Sequence, residues 1–372
     1  MQEIFPSSSN TRLNNSNSKG ELVTALVFVK ETQMNQNQDN MFYQNPQSVE
    51  EPILLPQKPP RARLHVGTIA FAITLGMLLT FITQAIGAVV ISVVNPALIE
   101  NDWFTMAFSV APIYLIEMPA AYLLLLTIPK SAPQKKKTHP LMWICFASLC
   151  FLAYYLSNFV GQFVNTWIYN FFEIEVRNDI GEMSYITPFG ANFLFLGILA
   201  PVFEELFYRK AIIDRLRRYG DLPAILISGV IFGLIHGNFS QVFYATAIGM
   251  VLGYVYLRTG KVLYTISLHA AFNLINGVYV TEIVRYLGGS STLAEGDIVG
   301  MIMVLAYNAL MILSVVIGSV FLLVNLKRFY RSLKKGEYTL TFDQWMNALL
   351  VNPGVWAFVA WMALVFISSL VA

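Results

Sequence analysis

The sequence contains little charge for its length. Asp, Glu, Lys and Arg together make up 12% of its 372 residues, whereas a soluble domain contains roughly a quarter. The net charge is only +2, and 56% of the residues are hydrophobic. This composition excludes an ordinary soluble domain, gives no indication of nucleic-acid binding, and predicts a protein that crosses a membrane several times.

Cysteine is also scarce. The two cysteines, Cys145 and Cys150, lie in one apolar stretch, and five residues along a helix turn two side chains about 140° apart. They cannot pair with each other, so neither a disulfide framework nor a cysteine metal site is expected. No secretory signal is expected either, because the first 20 residues are polar, with clusters of Asn and Ser.

Residues 1–62 differ from the rest of the chain in being rich in Asn, Gln, Ser and Pro. Such a segment buries too little apolar surface to fold alone, so we expect a disordered cytoplasmic tail followed by a helical transmembrane domain at residues 63–372. Nine stretches of that domain approach or exceed the roughly 17–25 apolar residues that a crossing helix needs. They lie at about 67–95, 104–129, 141–166, 190–214, 222–238, 241–258, 262–281, 298–326 and 353–371. The sequence therefore predicts an all-α polytopic membrane protein with about eight or nine transmembrane helices and a buried polar cavity.

Lys and Arg mark one side of this predicted bundle. Basic clusters precede the first span and follow the second, fourth, sixth and eighth: Lys58, Arg61, Arg63; Lys130, Lys135, Lys136, Lys137; Arg215, Arg217, Arg218; Arg258, Lys261; Lys327, Arg328, Arg331, Lys334, Lys335. If all nine spans cross, every cluster lies on the same side, which the positive-inside rule makes cytoplasmic. We therefore expect a multi-pass protein of the cell membrane whose N-terminus is cytoplasmic.

Several polar residues stand out because they lie inside otherwise apolar helices. They form three groups on separate spans: Glu204, Glu205 and Arg209; then His236; then His269 and Asn273. An ionisable side chain at the centre of a bilayer costs about 2.5–3.5 kcal/mol on insertion scales, so it indicates a functional site.

Chain spacing places these groups at a similar depth. Glu204 and His236 lie about 16 residues on either side of Gly220, in the turn between the fourth and fifth spans, so each is about 24 Å from that turn along its helix. His269 follows Gly260 by about nine residues, or roughly 13 Å. Because the first turns of the longer hairpin are expected to project into the cytoplasm, all three side chains can share one layer of the membrane.

Four-residue spacing also brings side chains to one face of a helix. Glu205 and Arg209 have the favourable order for an ion pair that offsets much of its own desolvation. This pairing leaves Glu204 as the less compensated carboxylate and a candidate general base. His269 and Asn273 share a face of their helix in the same way.

Three interpretations of this group are open. In the first, Glu204 activates a water, His236 assists the proton transfer, and His269 with Asn273 stabilises the developing oxyanion. In the second, Glu204, His236 and His269 bind Zn²⁺, although the spacing is not the H-E-x-x-H pattern that puts two ligands on one helix. In the third, the polar groups only fix the register of the helices.

The three groups resemble the signatures of a known family, the CAAX protease and bacteriocin-processing (CPBP) intramembrane endopeptidases, which are EExxxR, FxxxH and HxxxN. Here they read Glu204-Glu205-Leu206-Phe207-Tyr208-Arg209, Phe232-Gly233-Leu234-Ile235-His236 and His269-Ala270-Ala271-Phe272-Asn273, all within about residues 190–280. The resemblance implies a helical core with a buried cavity and hydrolysis of peptide bonds near the membrane. It also implies that Glu204 activates water, that His236 and His269 are its partners, and that Asn273 is an oxyanion donor. It leaves the metal question open.

We therefore expect an intramembrane endopeptidase that acts on a membrane-associated protein or peptide in the lipid bilayer. The alternatives are a non-catalytic membrane scaffold or bacteriocin self-immunity protein and, less favoured because the sequence shows no inverted repeat, a proton-coupled transporter. Glu117, inside the second span, is expected either to line the cavity or to pair with a polar group.

Overall fold

The computed structural model describes residues 61–371, apart from 175, 177, 178 and 289–296. Every regular element in these residues is a helix, which confirms the predicted all-α class. The predicted N-terminal tail, residues 1–62, lies outside the described residues except for its last two. Cys145 and Cys150 are both buried and free.

The described helices are named α1 to α11 in chain order. They are α1 (Ala62–Val94), α2 (Asp102–Leu125), α3 (Leu141–Phe172), α4 (Asp179–Ile186), α5 (Phe189–Tyr219), α6 (Asp221–Leu234), α7 (Phe239–Thr259), α8 (residues 262–286), α9 (Ile298–Arg331), α10 (Phe342–Leu350) and α11 (Pro353–Val371).

Seven of these helices are long and apolar enough to cross a membrane: α1, α2, α3, α5, α7, α9 and α11. The chain is therefore an integral, multi-pass membrane protein, and the count is close to the predicted eight or nine. The other two predicted spans, 222–238 and 262–281, are also helical. Helix α6 has only 14 residues, which is short for a crossing, and α8 carries the polar residues His269 and Asn273.

The loops that carry basic clusters meet at one end of the bundle. Backbone hydrogen bonds join them: Ser131 N to Asp214 O (2.6 Å), Lys136 N to Thr259 O (2.8 Å), Asp221 N to Lys334 O (3.0 Å) and Tyr338 N to Arg218 O (3.0 Å). This shared end is what the distribution of Lys and Arg predicts. Which compartment it faces stays a prediction.

Glycines bring α6 and α7 into close contact. A Cβ atom on Gly233 of α6 would lie 2.6 Å from the Val242 carbonyl oxygen of α7, and one on Gly249 of α7 would lie 3.0 Å from the Phe232 ring. Small residues at such crossings let helix backbones approach in lipid, where packing rather than water exclusion drives association. The contact fixes the end of α6, which precedes His236.

Candidate active site

A buried ion pair joins two charged residues of α5. Arg209 donates to both carboxylate oxygens of Glu205, from Nε to Oε2 at 2.9 Å and from Nη2 to Oε1 at 3.0 Å. Both side chains are 0% exposed, and the Arg209 guanidinium lies 5.0 Å from the centroid of the Phe232 ring. Two parallel bonds between a guanidinium and a carboxylate form a strong and directional contact. The pairing expected from the four-residue spacing is therefore present.

Glu205 also holds His269 and so links α5 to α8. Its Oε1 lies 3.1 Å from His269 Nδ1, and because a carboxylate paired with arginine accepts hydrogen bonds, Nδ1 carries the hydrogen. The other ring nitrogen, Nε2, faces Glu204 at 3.8 Å from Oε2, which is too long for a direct hydrogen bond. Glu205 thus orients the imidazole from one side, and Nε2 is left for Glu204 or a ligand.

His236 is oriented by a backbone carbonyl at the end of α6. The chain tightens there, because His236 N bonds to the Gly233 carbonyl at 3.3 Å. The Phe232 carbonyl accepts a hydrogen bond from His236 Nδ1 at 2.7 Å instead. Since a carbonyl can only accept, Nδ1 carries the hydrogen and Nε2 is the free nitrogen.

Asn273 donates a hydrogen bond to a backbone carbonyl that a nearby proline leaves without a partner in its own helix. Helix α5 has π-helical geometry before Pro201, with Ala200 N bonded to the Phe195 carbonyl. In this register the Leu196 carbonyl would bond to residue 201, but proline has no N–H. Asn273 Nδ2 donates to that carbonyl at 2.9 Å. One amide hydrogen therefore ties α8 to α5, and the second has no partner among the described residues.

These side chains surround one cavity inside the bundle. Its volume is about 480 Å³, within the range of about 300–1,000 Å³ that is common for ligand pockets. The lining includes all four residues predicted to be catalytic: Glu204, His236, His269 and Asn273. The structure thus brings together side chains from α5, from α8 and from just beyond α6, while their chemical roles stay predictions.

The arrangement does not support the zinc alternative. The part of the chain that the structure describes contains no group of three His, Cys, Asp or Glu side chains positioned to hold a metal ion. In the ligand set considered above, Nδ1 of His236 bonds to a carbonyl and Nδ1 of His269 to Glu205, so each histidine has only Nε2 to offer a ligand. These two nitrogens and the Glu204 carboxylate all border the cavity, but among the described residues they are not grouped as a three-ligand site.

Other polar residues of the cavity carry no motif that would identify them in the sequence. Tyr208, on α5, lies one helical turn from Glu204, and Tyr114 of α2 stacks on Phe203 with ring centroids 4.8 Å apart. Both tyrosines line the cavity with Glu204. Glu117 lines it too, which is one of the two arrangements that the sequence allowed for this residue.

The last helix also reaches the cavity. Trp361 and Val365 lie one turn apart on α11, and both are part of the lining. A Cβ atom on Gly237 would lie 2.6 Å from Val365 Cγ1, so α11 packs directly against the turn that follows His236. Hydropathy identifies this span but not its neighbours, and its contact with the site could not be predicted.

The segment that carries these residues is similar to known proteins. Residues 187–275 match the family model described as "Type II CAAX prenyl endopeptidase Rce1-like". The chain is 34% identical over 97 residues to "Putative membrane peptidase YdiL" of Bacillus subtilis (strain 168), which covers 26% of this chain and 40% of that protein. It is 26% identical over 137 residues to "UPF0177 protein YaiF" of Lactococcus lactis subsp. lactis (strain IL1403), covering 36% of this chain and 61% of that protein. No solved structure matches the chain.

The matched segment includes every residue of the three motifs and both halves of the Glu205–His269 contact. The chain spans less than two thirds of the length of each of these two relatives. Within that limit, the motifs, the helical fold and the family match agree. Over this segment, the chain is similar to CAAX prenyl protease-like membrane proteins, which supports its resemblance to the CPBP family.

Proposed function

We propose that the protein is an intramembrane endopeptidase that hydrolyses a peptide bond of a membrane-associated protein or peptide. One observation carries this proposal: Glu204 and His269 Nε2 face each other in a cavity, and the histidine is held in place by the buried Glu205–Arg209 pair. A carboxylate beside an oriented imidazole is a common arrangement for general acid–base chemistry. The names of the matched family and of the Bacillus relative are consistent with peptidase activity.

In the proposed first step, Glu204 acts on a water molecule. The Glu204 carboxylate takes a proton from the water while the water oxygen attacks the carbonyl carbon of the scissile bond. His236 assists by accepting a hydrogen bond from this water at Nε2, because its Nδ1 hydrogen is already committed to the Phe232 carbonyl. Attack moves the negative charge to the carbonyl oxygen of the substrate.

Two donors can stabilise that oxyanion. One is Nε2–H of a protonated His269, whose Nδ1–H is held by Glu205. The other is the second amide hydrogen of Asn273, whose first is bonded to the Leu196 carbonyl. Removing one donor of this kind typically lowers kcat about 10²–10³-fold.

In the second step, the tetrahedral intermediate collapses. The carbon–nitrogen bond breaks as the carbonyl re-forms, and the proton held by Glu204 passes to the leaving nitrogen. The products are a carboxylic acid and an amine, which exchange one proton to become a carboxylate and an ammonium group, so one water is consumed and no other reactant is needed.

A cleavage assay on purified protein in lipid nanodiscs tests this proposal. The substrates are quenched-fluorescence peptides that carry an apolar anchor, with and without a prenylated cysteine. Glu204→Gln preserves size and removes the carboxylate, and we expect it to lower turnover at least about 10²-fold. The matched control is Glu100→Gln, the same change at an exposed position outside the cavity, which should cleave at the wild-type rate.

The same variants separate the alternatives. Unchanged turnover in Glu204→Gln, with wild-type thermal stability, would contradict the assigned role of this carboxylate. If wild-type protein cleaves no peptide and Glu204→Gln retains the cellular phenotype of the gene, a non-catalytic scaffold or immunity protein explains the observations better.

A further inference from the structure

The cavity contains a second carboxylate that the proposed mechanism does not use. Glu117 lies on α2 at the end of a π-helical segment, Ile113–Glu117, and is only 8% exposed. Helix α1 accommodates it, because a Cβ atom on Gly76 would lie 2.9 Å from Glu117 Cγ. The Thr80 hydroxyl of α1 donates to the Pro112 carbonyl of α2 at 3.3 Å, which ties the two helices together near Glu117. The side chain is therefore held inside the bundle and directed to the cavity.

Among the residues that the structure describes, this carboxylate has no cationic partner. None of the Lys and Arg residues that the structure describes lines the cavity, and the ion pairs among those residues do not involve Glu117. By contrast, the Glu205 carboxylate forms an ion pair with Arg209. An ionisable group without a partner is costly inside a membrane and is typical of a binding or transport site.

Two tyrosines line the cavity together with the two carboxylates. Tyr114 lies on α2 in the same π-helical segment as Glu117, and Tyr208 lies on α5 one helical turn from Glu204. Tyr208 is 1% exposed, both tyrosines line the cavity, and neither hydroxyl has a hydrogen-bond partner within the described part of the chain. Buried tyrosine hydroxyls normally find a partner, so these two are available to a ligand.

The charge of these lining residues decides what the cavity can bind. A substrate group with a negative charge, such as a free C-terminal carboxylate, would meet two carboxylates and no Lys or Arg. A lysine or arginine side chain would gain charge-assisted hydrogen bonds from Glu117 and acceptors in the tyrosine hydroxyls. We propose that Glu117 binds a basic side chain of the peptide substrate, and that it is a specificity-determining residue. This inference rests on the proposed function for its biological meaning, but the binding itself does not require catalysis.

The test is a binding measurement in the Glu204→Gln background, which prevents cleavage and removes the other carboxylate. Each test uses three anchored peptides that are identical except at one variable position, which is occupied by Lys, norleucine or Glu. The test is repeated with the variable position placed at each residue around the expected cleavage point. At one position, we expect the lysine peptide to bind about 10–100-fold more tightly than the norleucine peptide. The glutamate peptide should bind more weakly than both.

Adding Glu117→Gln should remove the difference between the lysine and norleucine peptides. Glu117→Asp, which preserves the charge on a shorter side chain, should preserve part of that difference and provides a second variant if the Gln protein does not fold. The matched control is Glu337→Gln, which changes a half-exposed carboxylate paired with Arg218 outside the cavity and should leave the lysine preference intact.

Two results would overturn the inference: equal affinity for the three peptides at every position, or a lysine preference that survives Glu117→Gln. Failure of the proposed function has a different outcome. If wild-type protein cleaves no peptide but the lysine preference is present and depends on Glu117, the binding site stands and the peptidase proposal fails. If the wild type cleaves all peptides without such a preference, the peptidase stands and this inference fails.

Discussion

Replacing Arg209 by methionine should destabilise the protein strongly. The change leaves Glu205, which is 0% exposed, without the cation that donates to both of its oxygens. Breaking a buried pair by removing one partner typically costs 3–5 kcal/mol, because a buried charge is left uncompensated. His269 still donates to Glu205, so we expect a loss near the lower end, about 3 kcal/mol, or roughly 100-fold in the folding equilibrium.

The double variant Glu205→Met/Arg209→Met separates charge from packing. It removes both ions and fills their space with apolar side chains of similar length, which is often neutral or stabilising in a buried pair. We expect it to recover most of the stability lost by Arg209→Met. Cleavage should not recover, because His269 then has no carboxylate at Nδ1 to orient it.

Unfolding by SDS in mixed micelles, followed by tryptophan fluorescence, measures the stabilities, and the peptide assay measures turnover. Arg218→Met is the control, since Arg218 pairs with the half-exposed Glu337, and exposed pairs contribute about 0–1 kcal/mol. The reasoning is refuted if Arg209→Met costs no more than this control, or if the double variant is less stable than the single one. Recovery of turnover in the double variant would refute the orienting role of Glu205.

Three further predictions concern packing, the end of the bundle and metal dependence. Gly233→Ala should cost roughly 1–3 kcal/mol in the same unfolding assay, because its Cβ would lie 2.6 Å from the Val242 carbonyl oxygen; no measurable loss would contradict the close approach of α6 and α7. Tyr219→Phe should cost about 1 kcal/mol, since it removes the 2.6 Å hydrogen bond between the phenol and His65 Nδ1; unchanged stability would argue against that bond. Dialysis against EDTA should leave peptide cleavage unchanged, because the described residues do not provide a three-ligand site; loss of cleavage that only added zinc restores would show the opposite.

The length of the apolar stretches was sufficient to predict the helical class, and spacing from the turns was sufficient to predict the common depth of the site. Rise per residue is fixed in a helix, so distances from the turns at Gly220 and Gly260 place Glu204, His236 and His269 in one layer. The Glu205–Arg209 contact follows from four-residue spacing for the same reason. Each of these predictions uses a distance within one helix or one hairpin.

The contacts between helices could not be predicted in this way. Depth does not determine rotation, so nothing in the sequence indicates that His269 Nδ1 faces Glu205 rather than Glu204. Similarly, the position of Glu117 at the cavity depends on how α1 and α2 pack, which involves the space left by Gly76. These arrangements depend on side-chain packing between segments far apart in the chain.

The irregular turns of α5 and α6 explain how polar side chains are held in this membrane interior. Backbone carbonyls cannot remain unbonded where there is no water, and each helix frees one, at Leu196 before a proline and at Phe232 near a tightened helix end. Asn273 and His236 satisfy these two carbonyls, so their polar groups stabilise the fold whether or not a substrate is present. Because one side of each group is fixed in this way, its remaining polar atom has a defined direction before any ligand arrives. Orientation of this kind is the condition under which a few hydrogen-bonding groups can favour a transition state over a ground state.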